Sequence, residues 1–180
     1  MIYTRNEIKA KYENNYRIDV ALKNREIFKV AKGLYSDTEL PNPFEIITKK
    51  YSNAIFTLDS AFFIHDLTDV IPQKEHLATK RNALRIKDNN ISQVFITENI
   101  FELGKEAMEY QGAKINIYNK ERMLIELIRN KKSFGYDYYK EIINNYRENS
   151  ANLDTRKIQE YISFFPTEEH LFDVIRSEVF

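Results

Sequence analysis

Apolar residues recur at helical spacing near the start of the chain and then switch to alternation. Ile8 and Tyr12 stand four apart, and Thr4 precedes Glu7 by three, so a capping box can start a helix over Thr4–Tyr12 with those two residues on its inner face. After the polar break Glu13-Asn14-Asn15, the residues Ile18, Ala21 and Leu22 keep the helical period, with Asn14 or Asn15 as N-cap. That predicts a second helix of about nine residues. From Arg25 to Ala31 the pattern alternates, and Gly33 can supply the positive φ of a tight turn before Leu34 and Tyr35 return. Two short helices followed by a basic hairpin form the core pattern of a winged helix-turn-helix, so residues 1–36 are predicted to be a DNA-binding domain.

The stretch Ser36–Pro43 has two prolines and no apolar period, and reads as a linker. Asn42 then caps a helix with Pro43 at its first position, running through Lys50 with Phe44, Ile46, Ile47 and Tyr51 as its buried face. Thr57 or Asp59 can cap a helix through His65 that is apolar nearly all round. Ile71-Pro72 breaks the chain, Glu75–Thr79 and Ser92–Thr97 alternate as strands, and Glu106–Tyr110 and Ala113–Tyr118 flank Gln111-Gly112 as a hairpin. Asn119 caps a helix whose stripe is Met123, Leu124, Leu127 and Ile128. The tail is helical over Tyr136–Glu148, Asp154–Phe165 and Thr167 onward, with Pro166 as a stop. The predicted class is α+β: a winged helix-turn-helix, then a larger domain over residues 41–180 with a small, mostly antiparallel sheet and a helical C-terminal tail.

Composition narrows the function classes. At 43% hydrophobic residues, with 12 Phe and 12 Tyr, the 180-residue chain can build substantial cores. The absence of cysteine excludes disulfides, thiolate catalysis and sulfur-ligated zinc. No apolar run approaches the roughly 18 residues of a membrane span, and the polar N-terminus lacks the apolar core of a signal peptide, so a cytoplasmic location is expected with no membrane partner. The net charge of zero hides an asymmetry: residues 1–35 hold eight Lys and Arg against four acids, whereas residues 136–180 hold five against nine. The basic end coincides with the helix-turn-helix pattern, which points to nucleic acid as its partner.

A recognition helix sets its N-terminal residues on base edges, so Asn14, Asn15, Tyr16, Arg17 and Val20 are the candidate readers. Arg17 can pair bidentately with guanine and an Asn with adenine, each worth roughly 1–3 kcal/mol of discrimination. Lys9, Lys11, Lys23, Arg25, Lys29 and Lys32 suit the phosphate backbone. The bland reading of the same cations is a solvated surface. Elsewhere Lys80, Arg81, Arg85 and Lys87 read as a solvated loop, Lys131-Lys132 as a match to a helix dipole, and Phe62-Phe63, Tyr138-Tyr139 and Phe164-Phe165 as core.

Catalytic constellations are sparse. His65, His76 and His170 lie in separate elements, the four glycines are too scattered to cradle a phosphate, and no Gly-Ser precedes paired aspartates. No catalytic residue, metal ligand or cofactor is expected, and the chain is read as a non-enzyme. Two alternatives stand beside DNA binding: an interaction module whose acidic tail (Asp137, Glu141, Glu148, Asp154, Glu160) takes a basic partner, and a metal-dependent nuclease built on Glu75 and Glu98.

Three segments carry a family resemblance. Lys23–Tyr35, KNREIFKVAKGLY, resembles the wing of AbiEi-like antitoxins. SAFFIHDLTDVIPQKEHLAT, from Ser60, resembles that family's second signature, and INIYNKERMLIELI, from Ile115, its third, in the same order. The resemblance implies a DNA-binding antitoxin of a type IV toxin-antitoxin, or abortive infection, pair used in phage defence. It implies repression of its own promoter at inverted repeats, and opposition to a nucleotidyltransferase toxin without a stable complex. Family members usually carry a further helix ahead of Thr4–Tyr12, so it also implies a shortened winged domain.

Overall fold

The structure is a computed structural model that describes all 180 residues. It divides into two compact units, residues 1–53 with 108–115, and residues 54–107 with 116–180. The fold is α+β, with two small sheets and helices filling the C-terminal part.

In the first unit a short strand β1 (Ile2–Thr4) leads into α1 (Arg5–Tyr12) and α2 (Asn15–Lys23), then into strands β2 (Phe28–Ala31) and β3 (Leu34–Ser36). The capping box forms: the Glu7 amide donates to Thr4 Oγ1 at 3.3 Å and the Thr4 amide to Glu7 Oε2 at 2.6 Å. Glu13 ends α1 at φ 66°, and Asn14 Oδ1 then accepts the Arg17 amide at 2.9 Å to start α2, so the chain turns between the helices in two residues. Ile8, Ile18, Ala21 and Ile27 close a core against Tyr3, Tyr12, Leu22 and Tyr35. The sheet order is β1-β3-β2 and both pairs are antiparallel. Gly33, at φ 78°, lets the chain turn between β2 and β3.

The strand pattern expected from Arg25 begins later, because Arg25 adopts φ 59° in a turn and pairing starts only at Phe28. Helix α3 (Pro43–Lys50) starts on Asn42 as expected, yet none of its residues is fully buried. Phe44 meets the Tyr110 ring edge-on at 4.9 Å, and Lys49 reaches Glu7 at 2.8 Å. Those attachments are why the first unit runs through Asn53, past the linker proposed at residues 36–43.

The second sheet has five strands in the order β6-β5-β4-β8-β7, from β4 (Ile55–Phe56), β5 (Glu75–Lys80), β6 (Ile91–Ile96), β7 (Lys105–Tyr110) and β8 (Ala113–Tyr118). It is a mixed sheet. Antiparallel pairing holds between β4 and β5, whereas β5 with β6 and β4 with β8 run parallel. The parallel β5 and β6 are joined by a crossing at residues 81–90 that Gln93 holds: its Oε1 accepts the Ile86 amide at 2.7 Å and its Nε2 donates to Thr79 Oγ1 and the Leu84 carbonyl.

Helix α4 (Leu58–Ile64) follows β4, and a single turn α5 (Glu98–Phe101) follows β6. Helices α6 (Lys120–Arg129), α7 (Tyr136–Glu148), α8 (Thr155–Ile162) and α9 (Glu168–Glu178) complete the unit. Every residue of α6 from Glu121 to Ile128 is buried, so the apolar stripe is only part of what the helix encloses. Arg122 is fully buried, with Nη2 on Glu126 Oε1 at 2.6 Å and its guanidinium against the rings of Tyr118 and Phe165 at 5.1 and 4.9 Å. Gly104, at φ 75°, sits so close that a Cβ there would lie 2.5 Å from Arg122 Cβ. Of the aromatic pairs expected in the core, Phe62, Tyr139 and Phe165 are buried, Phe63 and Tyr138 are half-buried, and Phe164 is 47% exposed.

Glu126→Ala leaves the Arg122 charge buried and without its carboxylate, and should cost roughly 3–5 kcal/mol of unfolding free energy. The double change Arg122→Met with Glu126→Leu should recover most of it, read from urea denaturation midpoints.

Candidate functional site

Helix α2 presents two faces of opposite character. Ile18 and Ala21 are buried and Leu22 packs beside them, while Asn15, Tyr16, Arg17, Val20 and Lys23 lie on the exposed side. Tyr16 is 77% exposed and Val20 37%. Asn14 is exposed too, but its Oδ1 is committed to capping α2, which leaves only its amide nitrogen for a partner.

Arg17 donates to Glu13 Oε2 at 2.8 Å, with both side chains more than half exposed. Such a pair contributes about 0–1 kcal/mol, less than the roughly 1–3 kcal/mol of a bidentate contact to guanine, so Arg17 can exchange one for the other at little cost.

The six cations expected at phosphates are all exposed but do not form one cluster. Lys29 stands on β2 opposite Tyr35 and Lys32 precedes Gly33 at the hairpin turn. Lys23 closes the last turn of α2. Lys9 and Lys11 sit on α1, where Lys11 lies over the rings of Tyr3 and Tyr12 at 4.9 and 5.8 Å. Arg25 is held by Glu39 at 2.9 Å. In the first turn of α1, Glu7 is drawn well under the usual carboxylate range, to about 2, first by its hydrogen bond from Lys49 and then by the Thr4 amide and hydroxyl.

The second unit separates the residues weighed for metal or nuclease chemistry. Glu75 Oε2 accepts the Ser60 hydroxyl at 2.6 Å, and Glu98 pairs with Lys80 at 2.7 Å at the other end of β5. His65 is buried with Nε2 on the Tyr118 carbonyl at 2.7 Å, and burial holds its pKa down. His170 is exposed on α9. His76 instead lines a cleft of about 540 Å³ with Asp59 and Tyr138, a grouping drawn from α4, β5 and α7 that no spacing in the sequence announces.

A model of the family described as "Nucleotidyl transferase of unknown function (DUF2204)" matches residues 76–177. The chain belongs to that family. No curated protein matches it in sequence. Among solved structures, the crystal structure of the RV2827C protein from Mycobacterium tuberculosis is similar in fold, with a TM-score of 0.67 at 13% identity, over 96% of this chain and 71% of that one.

Nucleotidyl transfer ordinarily relies on divalent cations held between converging carboxylates. In this DUF2204 member the donor set does not fit. Strands β4, β6 and β8 carry no acid, β5 carries Glu75 alone, and no three His, Asp or Glu side chains come together as a metal site. No helix is long and apolar enough to cross a membrane.

The Glu7 carboxyl should titrate by NMR with a midpoint of about 2, and Lys49→Met should move it up towards the ordinary 4.5. Because the folded pKa is lowered, the stability that Glu7 contributes is complete above the unfolded value of 4.5 and disappears as pH falls through about 2. Glu7→Gln should therefore flatten the acid limb of the stability curve within that window.

Proposed function

We propose that this protein is a DNA-binding transcriptional repressor and antitoxin of a type IV toxin-antitoxin pair, acting in the cytoplasm. It represses its own promoter at inverted repeats and counteracts a nucleotidyltransferase toxin without forming a stable complex with it. The observation that carries the reading is the two-faced α2: Ile18 and Ala21 lock it to the core while Asn15, Tyr16, Arg17 and Val20 stay exposed. Around it, the order β1–α1–α2–β2–β3, with β3 between the other two strands, supports a winged helix-turn-helix whose wing is the Lys29–Lys32 hairpin. The antitoxin half of the proposal rests on the resemblance of the three sequence segments to AbiEi-like proteins.

In this reading α2 enters the major groove. Arg17 leaves Glu13 for a guanine edge, Asn15 and Tyr16 read neighbouring positions, and Val20 contacts a thymine methyl. Lys29 and Lys32 follow the backbone beside the groove, and Lys9, Lys11, Lys23 and Arg25 add affinity without choosing sequence.

The family description favours a second reading, a nucleotidyl transferase. The scattered carboxylates argue against it, and the chain is better read as a member that keeps the framework and has left the transfer chemistry.

A mobility-shift titration against the DNA upstream of its own gene, with unrelated duplex as competitor, tests the first reading. Arg17→Ala should lose about 1–3 kcal/mol of preference for the specific site. Lys32→Ala should weaken all duplexes about equally and lower the salt dependence by roughly one phosphate contact. Equal affinity of the wild-type chain for specific and unrelated DNA would reject it.

Incubation with each labelled nucleoside triphosphate, Mg²⁺ or Mn²⁺ and an RNA acceptor tests the second. No transfer is expected, and label on the RNA or on the protein would restore the enzyme reading.

A further inference from the structure

The cleft that lies wholly within the second unit holds a carboxylate whose acceptor capacity is largely unused. Asp59, on α4, receives a long hydrogen bond from the Tyr138 hydroxyl at 3.4 Å on Oδ1, and its Oδ2 stands 3.9 Å from His76 Nδ1, too far for a hydrogen bond. His76 Nδ1 is itself without a hydrogen-bond partner. About a third of the Asp59 side chain is exposed, and it lines a cleft of about 540 Å³, a size that accepts a nucleotide-sized molecule. The walls are aromatic and apolar: Phe134 and Tyr138, with ring centroids 5.9 Å apart, and Ile71, which is 74% exposed. Lys74 adds a cation, with no ion pair of its own among the salt bridges.

Two aromatic rings, tilted by 53° to one another, beside an open carboxylate suit a planar ligand that lies on a ring face and offers hydrogen-bond donors in pairs. Among nucleobases, guanine alone places two donors side by side, its ring N1–H and its exocyclic amine, and these match the two oxygens of one carboxylate. Adenine and cytosine would set a ring acceptor against one of those oxygens, and uracil offers a single donor between two carbonyls. A guanidinium carries the same fork, but Lys74 in the same cleft disfavours a cation, whereas a phosphate on the far side of a neutral base suits Lys74.

We propose that this cleft is a metal-independent binding site for a guanine nucleotide, with Asp59 reading the base, Phe134 and Tyr138 contacting its face, and Lys74 meeting the phosphate. The site binds without transferring, which is where the mismatch between the family description and the carboxylates leads. It is independent of the DNA-binding reading, since none of its residues belongs to the first unit.

Calorimetric titration of the full chain with GMP and with AMP, in EDTA and again in Mg²⁺, tests the proposal. GMP should bind roughly 10-fold or more tightly than AMP, with the same affinity in both buffers. Asp59→Asn, which swaps one acceptor for a donor, should abolish the preference. Lys74→Ala, a change on the exposed surface, should weaken GMP several-fold while leaving guanosine unchanged. Equal binding of GMP and AMP, no binding of either, a requirement for Mg²⁺, or tighter binding of arginine amide than of GMP would each overturn it.

Discussion

The second unit depends on a charge placed where water cannot reach it. Arg122 is fully buried in the middle of α6, and an isolated cation there would cost several kcal/mol in lost hydration. Three features offset that cost. Glu126 stands one turn away at 2.6 Å, the Tyr118 and Phe165 rings lie against the guanidinium, and each desolvated ring contact is worth up to about 2 kcal/mol. Those partners come from β8, from α6 itself and from the chain after α8, so satisfying one side chain brings three parts of the fold together. Gly104 belongs to the same arrangement, because only a residue without a Cβ can approach the base of the Arg122 side chain from the turn before β7. Glu126 is shared further: Arg129 and Asn130 both donate to it, which ties the end of α6 to the same carboxylate.

The first unit is organised by short-range contacts instead. Its helices are eight and nine residues long, below the length at which a helix persists alone, so their ends and their one buried face have to supply the stability. Thr4 and Glu7 cap one helix and Asn14 the other, and the core of Ile8, Ile18, Ala21 and Ile27 is small. A unit held this way leaves most of α2 uncovered, so the same economy that limits its core frees the surface on which the proposed DNA contacts depend. The link to Lys49 extends the unit through α3 and explains why residues beyond the apparent linker belong with it.

What could be read from the sequence follows from the range of the interactions concerned. The caps at Thr4, Asn14, Asn42 and Asn119 and the Gln111-Gly112 turn are local and emerged within a residue or two of their observed positions. Strand β4 was beyond reach. It is two residues long, yet it sits at the centre of the sheet, where Phe56 pairs with Leu77 on one side and Ile117 on the other. Its strand character comes from neighbours far along the chain. The parallel run of β5 and β6 was hidden for the same reason, since Gln93 holds the crossing through side-chain bonds that no alternation of polarity encodes. On α6 the apolar stripe was visible, but the burial of Glu121, Arg122 and Glu126 rests on partners elsewhere in the chain. The exposed α2 residues were legible, whereas Asn14 as a cap rather than a free reader was a choice between two adjacent asparagines that only geometry resolves.

Membership of a nucleotidyl transferase family and the absence of a carboxylate cluster bear on different parts of the molecule. The framework residues are buried and mutually dependent, as Arg122 illustrates, so they change only together. Side chains lining a cleft are half-exposed and can be replaced singly at small cost to stability. At the start of β5 the Glu75 carboxylate accepts the Ser60 hydroxyl, and that same hydroxyl oxygen accepts the His76 amide at 2.8 Å. Glu75 thereby fixes α4 against β5, and Asp59 is the carboxylate that lines the cleft. Metal-assisted transfer at this position would require carboxylates that β4, β6 and β8 do not carry.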